Sequence, residues 1–324
     1  MRGYSDKLQL YVLDLARTDL TTEEDKLYQT DHGGFSMKIA VLSDIHGNFE
    51  ALKACVSYAL EKGVTTFWFL GDYLGEYAYP QRTMDYLYRL KDTYPCIFIR
   101  GNKEDYWLNY RNAGETGWNS SNSITGSLYY TYQNITARDL DFFAGMEISQ
   151  TIMPDEMTPV TLCHGSPSSN REKLLPTVPN TRLILEQSSA RLILCGHTHI
   201  QRKIEHNGKR ALNPGSVGSP IGVPQKTQFM ILHQNETAWD EEFLSLDYPV
   251  QKEIEDLYAA GLDKVAPYWC KMTIRLLLTG TDSHGLFLQK AMELCRRERG
   301  ECVWPDIPEK YCEQAYESFT KQTV

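Results

Sequence analysis

Met-Lys-Ile-Ala-Val-Leu-Ser-Asp-Ile-His-Gly-Asn, residues Met37 to Asn48, is the stretch that decides the fold. Lys38 to Ser43 is rich in apolar and β-branched residues, which predicts a short buried strand. Asp44 and His46 follow where that strand should end, and Gly47 lets the chain turn into a helix. Strand ends are rigid mounts for functional side chains, and an Asp and a His two positions apart can reach one metal ion. Alone, Asp-x-His is a weak signal.

The composition bounds the class of protein. The chain has 324 residues, of which 42% are hydrophobic and 23% charged, and this suits one large domain or a domain with an appendage. A net charge of −9 argues against duplex nucleic acid as a partner, because a duplex needs a basic face. An anionic small substrate stays compatible, since a bound metal can dominate its local field.

Membrane and export signals are missing from the sequence pattern. No run of 18 apolar residues exists and the N-terminus has no secretory h-region, so we expect neither a membrane span nor export. The eight Cys include no C-x-x-C pair, which favours reduced thiols. We therefore expect a cytoplasmic protein.

Strand-like and helix-like segments alternate after residue 37, and each strand is followed by a polar residue. This alternation predicts parallel strands joined by right-handed crossovers. Residues 103–143 read as mostly helical. Further strand-like segments follow up to about residue 246, with Asn207-Gly208 as a strong hairpin signal. Residues 248–324 read as helices, near 249–260, 266–279, 283–298 and 308–321.

Five separated motifs each place a side chain that can bind a metal just after an apolar strand. They are Asp44-x-His46, Gly71-Asp72, Gly101-Asn102, His164-Gly165 and Gly196-His197-x-His199. Seven oxygen and nitrogen donors exceed the needs of one tetrahedral ion and suit two ions that share a carboxylate. Without thiolate ligands, such a set favours Mn²⁺, Fe or Zn²⁺ over copper.

This ordered set resembles the calcineurin-like metallophosphoesterases, whose pattern is D-x-H, G-D, G-N-[HxC]-[DE], H-G and G-H-x-H. Residues 38–246 match it throughout, and Asn213-Pro214-Gly215-Ser216 is similar to the loop after the last motif in smaller bacterial members. The likeness is nearest to the small bacterial phosphodiesterases, which include an asymmetric diadenosine tetraphosphate hydrolase branch. The resemblance implies an α/β fold, a four-layer αββα sandwich of two mixed sheets, with a C-terminal helical segment.

The resemblance also assigns the ligands of two divalent ions. Asp44, His46 and His199 would hold the first ion, Asn102, His164 and His197 the second, and Asp72 would bridge them. Such a pair of ions holds a phosphoryl group and lowers the pKa of a bridging water, so that hydroxide attacks phosphorus in line with the leaving oxygen. The substrate implied is a small phosphorylated molecule of nucleotide type.

Lys103 departs from the pattern of many relatives, which carry His after the Asn of the third motif as a general acid or phosphate contact. Lysine is a poor proton donor near pH 7 unless its pKa is lowered. We therefore expect a preference for activated diesters or phosphoanhydrides. With Asp72 and Asn102, Lys103 and Glu104 are the candidate catalytic residues, and Glu104 is expected to orient its neighbours rather than act as a base.

Two more residues are candidate substrate contacts beside Lys103. Asn48 follows the first motif, and Arg100 precedes the third, where it would face the phosphate or pair with a carboxylate. Aromatic residues after the second and third motifs would pack the helices or a subunit contact, or stack a nucleobase. They are Tyr73, Tyr77, Tyr79, Trp107, Tyr110 and Trp118.

We divide the chain into a metallophosphoesterase domain at 37–247, an extension at 1–36 and a helical segment at 248–324. Either 1–36 is an upstream extension or Met37 is the native start, and the C-terminal helices cover the cleft or form a homodimer contact. Two alternatives to a phosphodiesterase remain: a serine/threonine-type protein phosphatase, and a non-catalytic scaffold such as the retromer subunit that resembles this family. The scaffold alternative predicts missing metal ligands, whereas all seven are present.

Overall fold

The computed structural model describes residues 37–118, 122–154, 158–235 and 238–320. The expected extension at 1–36 lies outside the described residues. The strands are β1 Lys38–Leu42, β2 Thr66–Phe69, β3 Cys96–Phe98, β4 Ser149–Ile152, β5 Val160–Cys163, β6 Leu192–Leu194, β7 Arg202–His206, β8 Lys209–Asn213, β9 Lys226–Gln234 and β10 Trp239–Asp247. The helices are α1 Phe49–Glu61, α2 Pro80–Thr93, α3 Asn102–Asn112, α4 Gly126–Gln133, α5 Ala137–Ala144, α6 Pro179–Gln187, α7 Val250–Ala259, α8 Leu262–Val265, α9 Pro267–Thr279, α10 Ser283–Arg299 and α11 Glu309–Thr320.

The first sheet has the order β10-β9-β1-β2-β3. β1, β2 and β3 are parallel and are joined through α1 and α2, as the alternating pattern predicted. β9 pairs antiparallel with β1, and β10 closes the edge as the second arm of a hairpin. The sheet is therefore mixed.

The second sheet has the order β4-β5-β6-β8-β7 and is also mixed. β5, β6 and β8 are parallel, whereas β4 and β7 pair antiparallel at its two edges. The predicted Asn207-Gly208 turn joins β7 to β8, and Asn207 has the positive φ of 50° that such a tight hairpin turn requires.

Three apolar cores separate the layers and confirm the expected four-layer sandwich. Between the sheets, side chains of both inner faces meet; for example, Ile39 and Val41 belong to one core with Leu162 and Leu194. The outer face of the first sheet packs on α1 and α2, and the outer face of the second sheet packs on α6. Because β1 is covered on both faces, its apolar run is continuous rather than alternating.

The C-terminal segment is helical, as predicted, and adds the short α8 that the sequence pattern did not show. It packs partly on the loop that follows β2, where Tyr77 and Ala78 share a core with Leu257 and Leu277. The described part of the chain contains no helix long and apolar enough to cross a membrane.

Candidate metal centre

Backbone hydrogen bonds join the loops that follow the parallel strands, and so gather the five motifs. The amides of Asp44 and His46 donate to the carbonyls of Gly71 and Asp72, at 3.0 and 2.9 Å. In the second sheet, the amide of Gly196 donates to the carbonyl of His164 at 2.7 Å. Each motif sits at the carboxyl end of a strand, so both sheets contribute side chains to one place.

Five of the seven predicted ligand residues have left-handed backbone conformations. Their φ angles lie between 56° and 65°, a region that residues other than glycine seldom occupy. They are Asp44, His46, Asp72, His197 and His199. Such conformations cost roughly 1–3 kcal/mol each and concentrate at functional sites, because the surrounding structure must hold them in place.

Asp44, His46 and His199 form one group whose ligand atoms can share a cation. The Nε2 atoms of His46 and His199 lie 3.1 Å apart, and Asp44 Oδ1 lies 3.2 Å from His199 Nε2. Asp44 is fully buried, and no donor in the described ranges forms a hydrogen bond to its Oδ1. An unsatisfied buried carboxylate oxygen is costly unless a cation completes it.

His164 and Asp72 form a second group together with Asp44. Asp72 Oδ2 lies 3.5 Å from His164 Nε2 and 3.9 Å from His46 Nε2, so it stands between the two groups. Asn102 Oδ1 lies 3.1 Å from His164 Nε2. His197 contributes its ring beside that of His164, with centroids 5.2 Å apart, and its amide donates to Asp44 Oδ2.

The second ring nitrogens of these histidines define which atoms face the centre. His164 Nδ1 lies 2.7 Å from the Leu70 carbonyl, and His199 Nδ1 lies 2.9 Å from the Ser219 carbonyl. A carbonyl oxygen only accepts, so Nδ1 carries the proton and a neutral ring presents a lone pair at Nε2. In a neutral His164 ring the Nε2 lone pair would face the Asn102 oxygen, and a metal ion bound by both atoms would satisfy both.

The carboxylates make the site strongly attractive to cations. Burial acts to lower the pKa of His46 and of His164, but nearby carboxylates outweigh it and raise these pKa values to about 10 and about 9. Burial alone would raise the pKa of Asp44, yet the imidazoles of His199 and His164 hold it well below its usual range. Ligands of this kind exchange bound protons for a metal ion.

Glu104 connects the second and third motifs through hydrogen bonds to their backbone. Its two carboxylate oxygens accept from the amides of Asp72, Tyr73 and Gly101 at 2.8–3.0 Å. Burial and the adjacent Asp72 raise the pKa of Glu104 to about 7. A Cβ at position 101 would overlap Asp72, so only glycine permits this close approach.

Lys103 holds the site in two ways. Its amide donates to Asp72 Oδ1 at 2.8 Å, and its side-chain ammonium forms an ion pair with Glu76. No sequence pattern predicted a role for Glu76, because it belongs to none of the five motifs and precedes an aromatic segment that carries no motif. Its other carboxylate oxygen lies 2.8 Å from His46 Nδ1.

The other two proposed substrate contacts are engaged elsewhere. Asn48 is fully buried, its oxygen caps α1, and its amide nitrogen donates to the Gly218 carbonyl and to the Tyr248 hydroxyl. This placement makes it a helix cap rather than a free substrate ligand. Arg100 was expected to face the phosphate or to pair with a carboxylate. It pairs with a carboxylate, since its Nε lies 3.2 Å from Asp105.

Most of the aromatic cluster packs, which was the first of the two alternatives. Tyr73, Tyr77 and Trp107 are almost completely buried, and each donates a hydrogen bond to a backbone carbonyl. Tyr110 stacks on Trp118 with ring centroids 4.1 Å apart. These rings pack in the protein interior or against each other, so little of their ring surface is accessible to a nucleobase.

Known proteins share sequence and fold features with this chain. Residues 37–237 match the sequence profile of the calcineurin-like phosphoesterase superfamily domain. The chain is 26% identical over 238 residues to an uncharacterised protein of Methanocaldococcus jannaschii, and the alignment covers 68% of this chain and 91% of that protein.

Two solved structures share the fold. A hypothetical protein from Pyrococcus horikoshii superposes with a TM-score of 0.63 at 19% identity, covering 75% of this chain and 98% of that one. A metallophosphoesterase from Sphaerobacter thermophilus gives 0.62 at 21% identity, covering 76% and 100%.

Proposed function

The chain belongs to the calcineurin-like phosphoesterase superfamily, and from that premise we propose that it is a phosphodiesterase dependent on two divalent metal ions. Its substrate is a small phosphodiester or phosphoanhydride, and a nucleotide is the first candidate. The observation that carries this proposal is the buried Asp44 Oδ1, which lies 3.2–3.9 Å from the Nε2 atoms of His199, His46 and His164 and has no hydrogen-bond donor among the described residues.

The residues divide the work between two ions. Asp44, His46 and His199 would hold the first, Asn102, His164 and His197 would hold the second, and Asp72, which lies near both groups, would complete the set. When bound, the ions supply an activated water and neutralise charge on the phosphoryl oxygens. The all-oxygen-and-nitrogen donor set favours Mn²⁺, with Fe and Zn²⁺ as alternatives.

The protein residues around the ligands keep this arrangement rigid. Glu104 holds the Asp72 amide, and the Lys103 amide holds Asp72 Oδ1, so that Oδ2 faces His164 and His46. A preorganised ligand set binds its ions without paying for reorganisation of the site. His197, His199 and Lys103 have partly exposed side chains, at 19% for His199 and 14% for Lys103, and so mark the side from which a substrate would reach the ions.

The preference for reactive leaving groups follows from Lys103. Its ammonium is paired with Glu76, and this pairing leaves it poorly placed to protonate a departing alkoxide. Diesters with acidic leaving groups and phosphoanhydrides need little protonation. They are therefore the substrate class that this site suits.

The direct test is Mn²⁺-dependent hydrolysis of bis(p-nitrophenyl) phosphate. We expect turnover by the wild-type protein, loss of turnover on addition of a chelator, and loss in a His164→Ala variant. His233→Ala is the matched control, because His233 is partly exposed and pairs with Glu242. Absence of turnover with Mn²⁺, Fe²⁺ and Zn²⁺ alike would refute the proposal.

A substrate panel separates the alternatives. Diadenosine tetraphosphate and other nucleotides should be hydrolysed, whereas a phosphoserine peptide should not. Preferential dephosphorylation of the peptide would indicate a protein phosphatase. Stoichiometric metal binding without hydrolysis of any substrate would indicate a scaffold.

A further inference from the structure

Glu76 is a buried acidic residue that lies between the second motif and α2. Its side chain is only 6% exposed, and only one of its oxygens, the one that faces Lys103, has a hydrogen-bond partner among the described residues. One oxygen lies 2.8 Å from His46 Nδ1, and the other pairs with the ammonium of Lys103. Burying a carboxylate at such a place costs free energy unless these contacts compensate for its lost hydration.

The contact between Glu76 and His46 is a close charge contact without the alignment of a hydrogen bond, since neither His46 Nδ1 nor Glu76 Oε2 has a hydrogen-bond partner among the described residues. With Nδ1 on the side of this carboxylate, the ring presents Nε2 to His199 Nε2 at 3.1 Å and to Asp44 Oδ1 at 3.8 Å. His164 and His199 are oriented instead by backbone carbonyls. A charged acceptor behind a ligating imidazole holds the ring and also makes it a stronger metal ligand.

The surrounding loop is built around this contact. A Cβ at position 75 would lie 2.9 Å from His46 Nδ1, so glycine there lets the loop pass close to the His46 ring. The carbonyl of Gly75 accepts from Thr131 Oγ1 of α4 at 3.1 Å, which holds the loop from the other side. The loop therefore presents Glu76 to His46 in one position.

Lys103 completes the arrangement. It stands at the position where many relatives carry the third-motif histidine, yet its ammonium is directed to Glu76. Lys103 thus offsets the charge of Glu76, while its amide holds Asp72.

We propose that Glu76 is a positioning residue that orients His46 and strengthens its binding to the first metal ion, and that Lys103 offsets the charge that the Glu76 carboxylate brings into the buried site. This inference rests on the proposed metal-dependent function. Glu76 touches neither the substrate nor the reacting atoms.

Calorimetric titration of the metal-free full chain with MnCl₂ tests this role. Glu76→Ala should weaken binding of one of the two Mn²⁺ equivalents by roughly 10- to 100-fold, the usual effect of removing such a partner. Glu76→Gln keeps a hydrogen-bond acceptor without the charge, so its loss should be smaller. At saturating Mn²⁺ both variants should recover hydrolysis of bis(p-nitrophenyl) phosphate.

Lys103→Met is the matched variant, because it breaks the same ion pair but leaves the carboxylate on His46. Removing a nearby cation does not weaken attraction for another cation, so Mn²⁺ affinity should be kept or increased. Glu253→Gln, which alters a buried glutamate on α7, should bind Mn²⁺ like the wild type. Circular dichroism of each metal-free variant checks that it is folded.

The outcomes separate the two proposals. If the wild type binds two Mn²⁺ and is active, while the folded Glu76 variants also bind both with wild-type affinity, the role of Glu76 is overturned and the proposed function stands. If Lys103→Met weakens binding as much as Glu76→Ala, the ion pair rather than the carboxylate is responsible, and the inference is again overturned. If the wild type binds no metal, the proposed function itself fails.

Discussion

Glu253 links the C-terminal helices to α1, and it should make the stability of the protein depend on pH. It lies in the first turn of α7, is 2% exposed, and accepts a hydrogen bond from the Glu50 amide at the start of α1 at 2.8 Å. Burial raises the pKa of Glu253 to about 7, although the Glu50 amide acts in the opposite direction. Asp256 adds to the rise and Arg82 opposes it.

The sign of the effect follows from proton binding. Between the ordinary pKa of 4.5 and the folded value of about 7, the native state holds a proton that the unfolded state has lost. The free energy of unfolding therefore decreases as pH rises through this window. A shift of this size corresponds to about 3 kcal/mol, at 1.36 kcal/mol per pKa unit.

Glu253→Gln replaces the titrating group with a neutral isostere that still accepts from the Glu50 amide. We expect the variant and the wild type to have similar stability near pH 4.5, and the variant to be more stable by up to about 3 kcal/mol at pH 8. Urea unfolding of the metal-free proteins at pH 5, 6, 7 and 8 measures this difference. Glu255→Gln, on the exposed side of α7, should show no such trend. A Glu253→Gln difference that stays constant with pH would refute the reasoning.

Three further substitutions test individual parts of the site. Gly101→Ala brings a methyl group into Asp72, so Mn²⁺ affinity measured by calorimetry should fall roughly 10- to 100-fold. Gly145→Ala, whose added methyl would have its nearest neighbour at 3.5 Å, should not change it; equal affinities in both would contradict the steric argument. Asn48→Ala removes the α1 cap and two other hydrogen bonds, so urea unfolding should show a loss of about 1–3 kcal/mol with an unchanged KM. A raised KM at unchanged stability would instead restore Asn48 as a substrate contact. Lys103→His should broaden the range of leaving groups in a panel of aryl and alkyl phosphodiesters, and an unaltered panel would argue against the account of Lys103.

The grouping of candidate metal ligands could be predicted because each candidate follows a local pattern. An apolar run predicts a buried strand from its own residues, and the polar residue after it must lie at the strand end. Asp44, Asp72 and His164 all satisfy this rule, and the structure brings their ligand atoms within 4.8 Å of one another. The two mixed sheets and the C-terminal helices were predictable for the same reason, together with the resemblance carried by the five motifs.

The roles of the remaining residues depended on contacts between distant parts of the chain. Asn48 and Arg100 are polar residues beside motifs, a description that fits a substrate ligand as well as it fits a helix cap or an ion pair. Aromatic side chains are likewise stabilised by packing on any apolar neighbour, whether it is a protein ring or a nucleobase. Only the neighbours that the fold supplies decide between these alternatives.

Glu76 is the clearest case of a residue whose contacts no local sequence pattern predicts. The sequence by itself determined the strands, the crossovers and the ligand types, because these follow from short-range periodicity and from the chemistry of each side chain. The tertiary structure alone decided that Glu76 faces His46 and Lys103, since that contact requires loops after three different strands to meet. Contacts of this kind depend on how whole layers pack against each other. That packing is determined by many side chains from distant parts of the chain, and no short stretch of sequence contains them all.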